Sequence, residues 1–305
     1  MTRFIIASMI LCFLSLEGLA QSKILFSKSS GKLNSGGTLD LMIYDPITKS
    51  TNLLVKGSVK GRGEYNAATS PDNSKIIFNT YRFSGWKLGI ADFKDGKLSN
   101  TRKATGRSNY EYNAKYSPDG NRIVYEEFNW GTRRTTIFVA NKDGKKVTPL
   151  KNASDYDVTP DWTQNGKEIV FASGRNDNYD IFIQPFQGEI ATNLTSGDAN
   201  EFAPSTSRSS NKIAFLSDRE GKINLFVMNT DGGELKNLTP ELNTDSFNNE
   251  GFWAYKTSWS PSGQQIVFNA LQGGDLELFI VNADGTGLTQ VTKNNDTDMT
   301  PFWMN

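Results

Sequence analysis

Apolar and polar positions alternate along most of the chain in short bursts, each ended by a turn. Residues 112–128, YNAKYSPDGNRIVYEEF, hold one full instance, and residues 255–271, YKTSWSPSGQQIVFNAL, nearly repeat it. Alternation with period two marks a half-buried strand. Asp-Gly between two such runs marks a tight hairpin, because glycine accepts positive φ at little cost. Aligned on the apolar strand after the turn, the copies end at Phe26, Phe78, Tyr125, Phe171, Phe215 and Phe268, spaced 44 to 53 residues apart.

Each copy continues alike. A second apolar strand follows (LDLMIY, WKLGIA, TTIFVA, YDIFIQ, INLFVM, LELFIV), then a tight turn, clearest as NKDG, NTDG and NADG, then a short outer strand such as TNLTS or KNLTP. One more strand precedes the SPDG-type turn, as in TPDW and KTSW. Four hairpin-linked strands repeated six times predict an all-β, six-bladed β-propeller of four-stranded antiparallel blades. A β-sandwich also alternates, but it does not require a repeat. The ends agree with a ring: MTPFWMN at 299–305 matches VTPDWTQ at 158–164, a first strand without partners, whereas SKILF lacks a first strand. The C-terminal strand should therefore pair with the N-terminal blade and close the ring. Trp303 should then be buried as Trp162 and Trp259 are.

The opening residues follow another plan. Arg3, an apolar run from Phe4 to Leu16 and a small residue at Ala20 predict a secretory signal peptide over 1–20, leaving the propeller as 21–305. The run is too short to span a bilayer, so no membrane span is expected after cleavage. Cys12, the single cysteine, follows the large Leu11, which suits a lipoprotein signal poorly. The expected location is periplasmic or secreted.

Composition narrows the chemistry. Lys+Arg and Asp+Glu balance at 33 each, which argues against bulk capture of nucleic acid. Histidine is absent and the mature chain would hold no cysteine, so His-based dyads, imidazole metal sites and thiolate chemistry are excluded. No metal, no cofactor and no enzyme activity are expected; any catalysis would rest on carboxylates, Lys, Tyr or Arg.

TPDWTQNGKEIVFASGRNDNYDIF and FLSDREGKINLFVMNTDGGELKNLT resemble the TolB-like propeller repeat over nearly all of the mature chain. The resemblance implies the propeller fold and a periplasmic protein that binds other envelope proteins. The α/β domain preceding the propeller in TolB has no counterpart expected here. The related oligogalacturonate lyases use histidines with a metal, which this sequence lacks.

Hairpin order puts the SPDG-type and NADG-type turns on one face, and the inter-blade linkers and second-to-third strand loops on the other. The second face has the greater reach and is the expected binding face. Six residues before each SPDG-type turn stand Glu64, Glu111, Asp157, Glu201, Ala254 and Asp298, followed by Tyr65, Tyr112, Val158, Phe202, Tyr255 and Met299. This predicts an acidic ring over an apolar ring at the channel mouth. The structural alternative is that each carboxylate pins its linker through backbone N–H groups. The loops add Trp86, Trp130, Arg133, Arg175 and Arg219, and the long linker before the sixth repeat adds Phe247, Phe252 and Trp253. Exposed aromatics with Arg anchor interfaces or stack on sugars. Together these residues predict a monomeric module binding an envelope protein or peptide at its channel mouth, with a carbohydrate ligand or carbohydrate-active site as the alternative.

Overall fold

A computed structural model describes residues 22–32, 35–244 and 253–305. The segment read as a signal peptide, with Cys12, lies outside the described residues, as do Phe247 and Phe252. The described chain forms six antiparallel four-stranded sheets arranged as blades. Blade 1 joins Thr297–Trp303 to Ile24–Ser29, Leu39–Asp45 and Ser50–Val55. The inner strands of blades 2 to 6 are Glu64–Thr69, Tyr110–Tyr116, Asp157–Trp162, Glu201–Thr206 and Thr257–Trp259. Among the described residues no helix is long and apolar enough to cross a membrane.

The repeated SPDG motif has a local cause. Ser70 and Ser117 donate their hydroxyls to Asp72 and Asp119 two residues on, both at 2.5 Å. Thr163 does the same with Asn165 at 2.9 Å. The fourth turn residue then takes positive φ: Asn73, Gly120, Gly166 and Gly263 lie between +55° and +69°. These are the demands that Ser, Asp and Gly meet at a tight turn. Behind the turn, aromatic pairs stack across the middle strands of four blades: Tyr125 with Phe138, Phe171 with Phe182, Phe215 with Phe226 and Phe268 with Phe279, at 5.6–5.9 Å.

The inner strands share one irregularity. Asn66, Asn113, Thr159, Ala203 and Thr300 all have φ between +51° and +55°. Each sits in a register shift against the second strand. This is a bulge, which bends the strand and re-aims its side chains. Each of the five residues follows an acidic one by two positions. Blade 6 has Ala254 there instead, and Lys256, two positions on and just before the inner strand, has no positive φ.

Ring closure is as the sequence implied. Thr297–Trp303 pairs antiparallel with Ile24–Ser29. Trp303 is buried, its indole N–H reaching the Ser22 carbonyl at 2.9 Å, and Trp162 and Trp259 are equally enclosed. Ser27 and Thr300 share a hydroxyl contact of 2.7 Å. Removing residues 299–305 should therefore lower the melting temperature by roughly 10 °C or more and promote aggregation through the freed edge. Thermal unfolding of the truncated and full chains checks this, and equal melting would refute the closure.

Candidate functional site

The five acids at the head of the inner strands are all buried. Glu64 accepts from Arg82 Nη2 at 2.6 Å, from the Thr80 hydroxyl at 3.0 Å and from the Ser58 N–H at 2.8 Å. Asp157 accepts from Arg175 Nη2 at 2.8 Å and the Ser154 N–H at 2.8 Å. Glu201 accepts from Arg219 Nη2 and the Ser217 hydroxyl, both at 2.9 Å. The arginine thus lies at the same place in blades 2, 4 and 5, and in blade 6 acid and arginine are replaced together by Ala254 and Gln272. Arg175 and Arg219 stack over Phe182 and Phe226 at 4.5 and 5.1 Å on the way to their carboxylates.

Glu111 and Asp298 have no arginine. Glu111 meets the Thr105 hydroxyl, and Asp298 the Asn294 amide at 2.7 Å. Burial raises the carboxyls of Glu111, Asp157 and Glu201 above their ordinary range. It pushes Asp298 up to about 6. Glu64 and Asp157 each accept a linker N–H, whereas Glu111 Oε2 and Asp298 Oδ1 are buried without a hydrogen-bond partner.

The open surface at this mouth is aromatic. Trp86 packs edge-on against Tyr65 at 4.9 Å and Tyr81 at 5.3 Å. Tyr65 meets Trp253 at 5.6 Å. On the neighbouring blade Trp130 sits against Phe128 at 4.9 Å and Tyr110 at 5.7 Å, and Tyr110 against Tyr112 at 6.4 Å. Two of these rings stay open to solvent: Trp130 is 55% and Trp253 39% exposed. Between these rings lies a cleft of about 420 Å³, lined also by Leu39, Arg62 and Met299. It shares Leu39, Trp86, Tyr112 and Trp253 with a recess of about 370 Å³ that descends to Asn113 and Glu126. A further recess of about 170 Å³ reaches Thr159, Tyr179 and Ala203.

Local chemistry holds the cleft in shape. Gly85 has φ +106°, and a Cβ there would stand 2.6 Å from the Tyr110 ring, so only glycine admits the tyrosine. The buried Lys87 ammonium reaches the carbonyls of Ser108 and Asn109 and fixes the linker that carries Tyr110. Arg62 lies over Tyr81 at 5.6 Å, and Arg133 over Trp130 at 6.0 Å on the rim.

The structure therefore brings Tyr65, Tyr112, Trp86, Trp130, Trp253 and Arg133 to one cleft or its rim. It pairs Glu64 with Arg82, Asp157 with Arg175 and Glu201 with Arg219, and leaves Glu111 and Asp298 without an arginine. Sequence reasoning missed Tyr81, Tyr110, Arg62, Glu126 and Lys256. Lys256 had a signal: aligned with Asn66, Asn113, Thr159, Ala203 and Thr300, it is the one charged residue at that repeat position. Among the described residues no group of three or more His, Cys, Asp or Glu is placed to hold a metal ion.

Three substitutions test these carboxylates. Arg175→Met leaves Asp157 charged and enclosed, and should cost about 3 kcal/mol in urea unfolding, most of it recovered by adding Asp157→Asn. Asp298 titrates higher folded than unfolded, so its contribution to stability falls as pH rises through about 6. Asp298→Asn should gain on the order of 2 kcal/mol over the native chain in weakly alkaline buffer, and almost nothing near the unfolded carboxyl pKa. Chemical denaturation across pH checks both the size and the sign.

Comparison with known proteins agrees with the architecture. TolB from Acinetobacter baumannii superposes with a TM-score of 0.74 at 17% identity, over 94% of this chain and 67% of that one. A putative TolB from Agrobacterium tumefaciens gives 0.67 at 15% identity, over 92% and 98%. The tricorn protease gives 0.58 at 18% identity, over 87% of this chain but 26% of that one. At such identities the likeness concerns the fold. No curated protein matches the sequence. Residues 73–256, more than half of the chain, match the model of the TolB β-propeller domain, and the protein belongs to that family.

Proposed function

We propose that the protein is a binding module of the cell envelope, exported to the periplasm or beyond, that holds a peptide segment of a partner protein in the aromatic cleft at its channel mouth. The observation that carries this is the convergence of Trp86, Trp130, Trp253, Tyr81, Tyr110 and Tyr112 on one cleft. Trp and Tyr in a shaped, partly enclosed depression are the residues that dominate interface energies, because they cover much apolar area with few rotatable bonds. The family supports a protein-binding role in general terms. Catalysis has less support: the symmetric carboxylates are hydrogen-bonded within their own blades, and none faces the cleft as one half of an acid–base pair.

Carbohydrate is the second reading, favoured by the exposure of Trp130 and Trp253. One experiment separates the two. The mature chain is used to capture partners from an envelope extract, the captured protein is purified and titrated, and the same chain is screened on a glycan panel. A protein partner whose affinity falls about tenfold or more with Trp130→Ala or Trp253→Ala supports the peptide reading. Saccharide binding lost in the same variants replaces it, and a protein partner unaffected by both would remove the cleft from consideration.

A further inference from the structure

The position that follows each repeat's anchoring aromatic on the second strand holds Ser27, Asn79, Glu126, Ala172, Leu216 and Asn269. Glu126 is the one charged residue among them. Its structural task is shared. Ser27 accepts the N–H of Asn66 in the next blade at 3.1 Å, Asn79 that of Asn113 at 3.4 Å, and Glu126 that of Thr159 at 2.6 Å. A hydroxyl or an amide oxygen suffices for this bond, so the bond does not account for a charge. A buried carboxylate is costly unless a cation meets it. The buried Lys256 acts on Glu126 only from a distance, since its ammonium meets no hydrogen-bond partner.

Glu126 also stands where a ligand can reach. It lines both recesses beneath the aromatic cleft: the one of about 370 Å³ with Tyr65, Trp86, Tyr112 and Trp253, and the one of about 170 Å³ with Tyr179 and Phe202. Among the described residues lining these recesses it is the one charged side chain, and in the upper cleft that place belongs to Arg62. The two levels thus carry opposite charges, positive at the mouth and negative below. A basic group that enters is better placed beside Glu126 than beside Arg62.

We propose that the recess under the aromatic cleft takes a basic side chain, Lys or Arg, of the segment that fills the cleft, with its cationic head against the Glu126 carboxylate and its hydrocarbon stem along the wall of Trp86, Tyr112 and Trp253. This deepens the peptide reading and rests on it. Long basic side chains lay their stems along apolar surface while the head keeps a polar partner, and the recess supplies both. Burial raises the Glu126 carboxyl above its ordinary range and pushes Lys256 down to about 7. Tyr65, Tyr112 and Tyr179, which line the recesses with Glu126, are pushed up by burial and by its charge, and stay neutral. Rising pH therefore leaves Glu126 charged and Lys256 neutral, and a basic ligand binds more tightly above pH about 7 than below it.

The probe is n-butylammonium, which copies the end of a lysine side chain and does not need the upper cleft. Tryptophan fluorescence of the mature chain is titrated with n-butylammonium chloride on either side of pH about 7. Sodium chloride and n-butanol control for salt and for apolar binding. The native chain should give a saturable butylammonium response, several-fold tighter at the higher pH and tighter than that to butanol. Glu126→Gln keeps an acceptor for the Thr159 N–H, as Asn79 does for Asn113, and should bind butylammonium no better than butanol. If that variant does not fold, ¹³C NMR of the Glu126 carboxyl in the native chain decides: its titration should move to lower pH in butylammonium and not in butanol. Trp130 lines the upper cleft and not the recesses. Trp130→Ala should therefore lose the peptide and keep the butylammonium response, which tells failure of the cleft reading from failure of this one. Once a partner segment is captured, replacing its basic residue by Met should weaken binding to the native chain about tenfold or more, and far less to Glu126→Gln. A native chain without a butylammonium response, or one that butanol or Glu126→Gln reproduces, overturns the proposal.

Discussion

The buried carboxylate at the head of an inner strand is what the ring depends on. Six flat strands side by side would crowd a narrow channel. In five blades the strand is bent where it leaves the mouth, by a residue with φ near +50° two positions after the acid. Such a residue costs on the order of 1 kcal/mol or more outside glycine. In blades 2 and 4 the acid offsets that cost by tying the strand's start to a linker N–H group, Ser58 with Glu64 and Ser154 with Asp157. In blades 4 and 5 it also recruits an arginine laid over the blade's own aromatic pair. Carboxylate, bulge and linker therefore form one unit.

That unit is missing from blade 6, and the consequences gather there. With Ala254 in place of the acid, the strand is not bent at Lys256. The linker before it is long and delivers Trp253 over the channel. The side chain that follows is a lysine without a partner. Function in a symmetric scaffold is expected where the symmetry is broken. Here the departures in blade 6 face those in blades 2 and 3, where Trp86, Tyr110, Tyr112 and Trp130 depart from the repeat.

The fold was legible because hairpin turns and two-residue alternation are local, and six copies averaged out each one's irregularities. Closure was legible from Trp303 matching Trp162 and Trp259. The site was legible only in part. Trp86, Trp130 and Trp253 were found because large aromatics in loops are conspicuous. The acids were noticed through their periodicity, but a sequence does not show which way a carboxylate turns, and the partners of Glu64, Asp157 and Glu201 stand 18 residues further on. Glu126 and Lys256 come from blades 3 and 6, 130 residues apart, and nothing local announces that they share one channel.

The contact between Ser27 and Thr300 spans 273 residues. Blades 2 to 6 are each built from consecutive chain and can form as they emerge, whereas blade 1 must wait for the C-terminal strand. Closing so long a loop carries little more entropic cost than closing a shorter one, because that cost grows only logarithmically with length. The delay is therefore one of order rather than of energy. Until that strand arrives, the hydrophobic edge of Ile24–Ser29 stays unpaired, and during synthesis the nascent ring needs that edge kept apart from other chains.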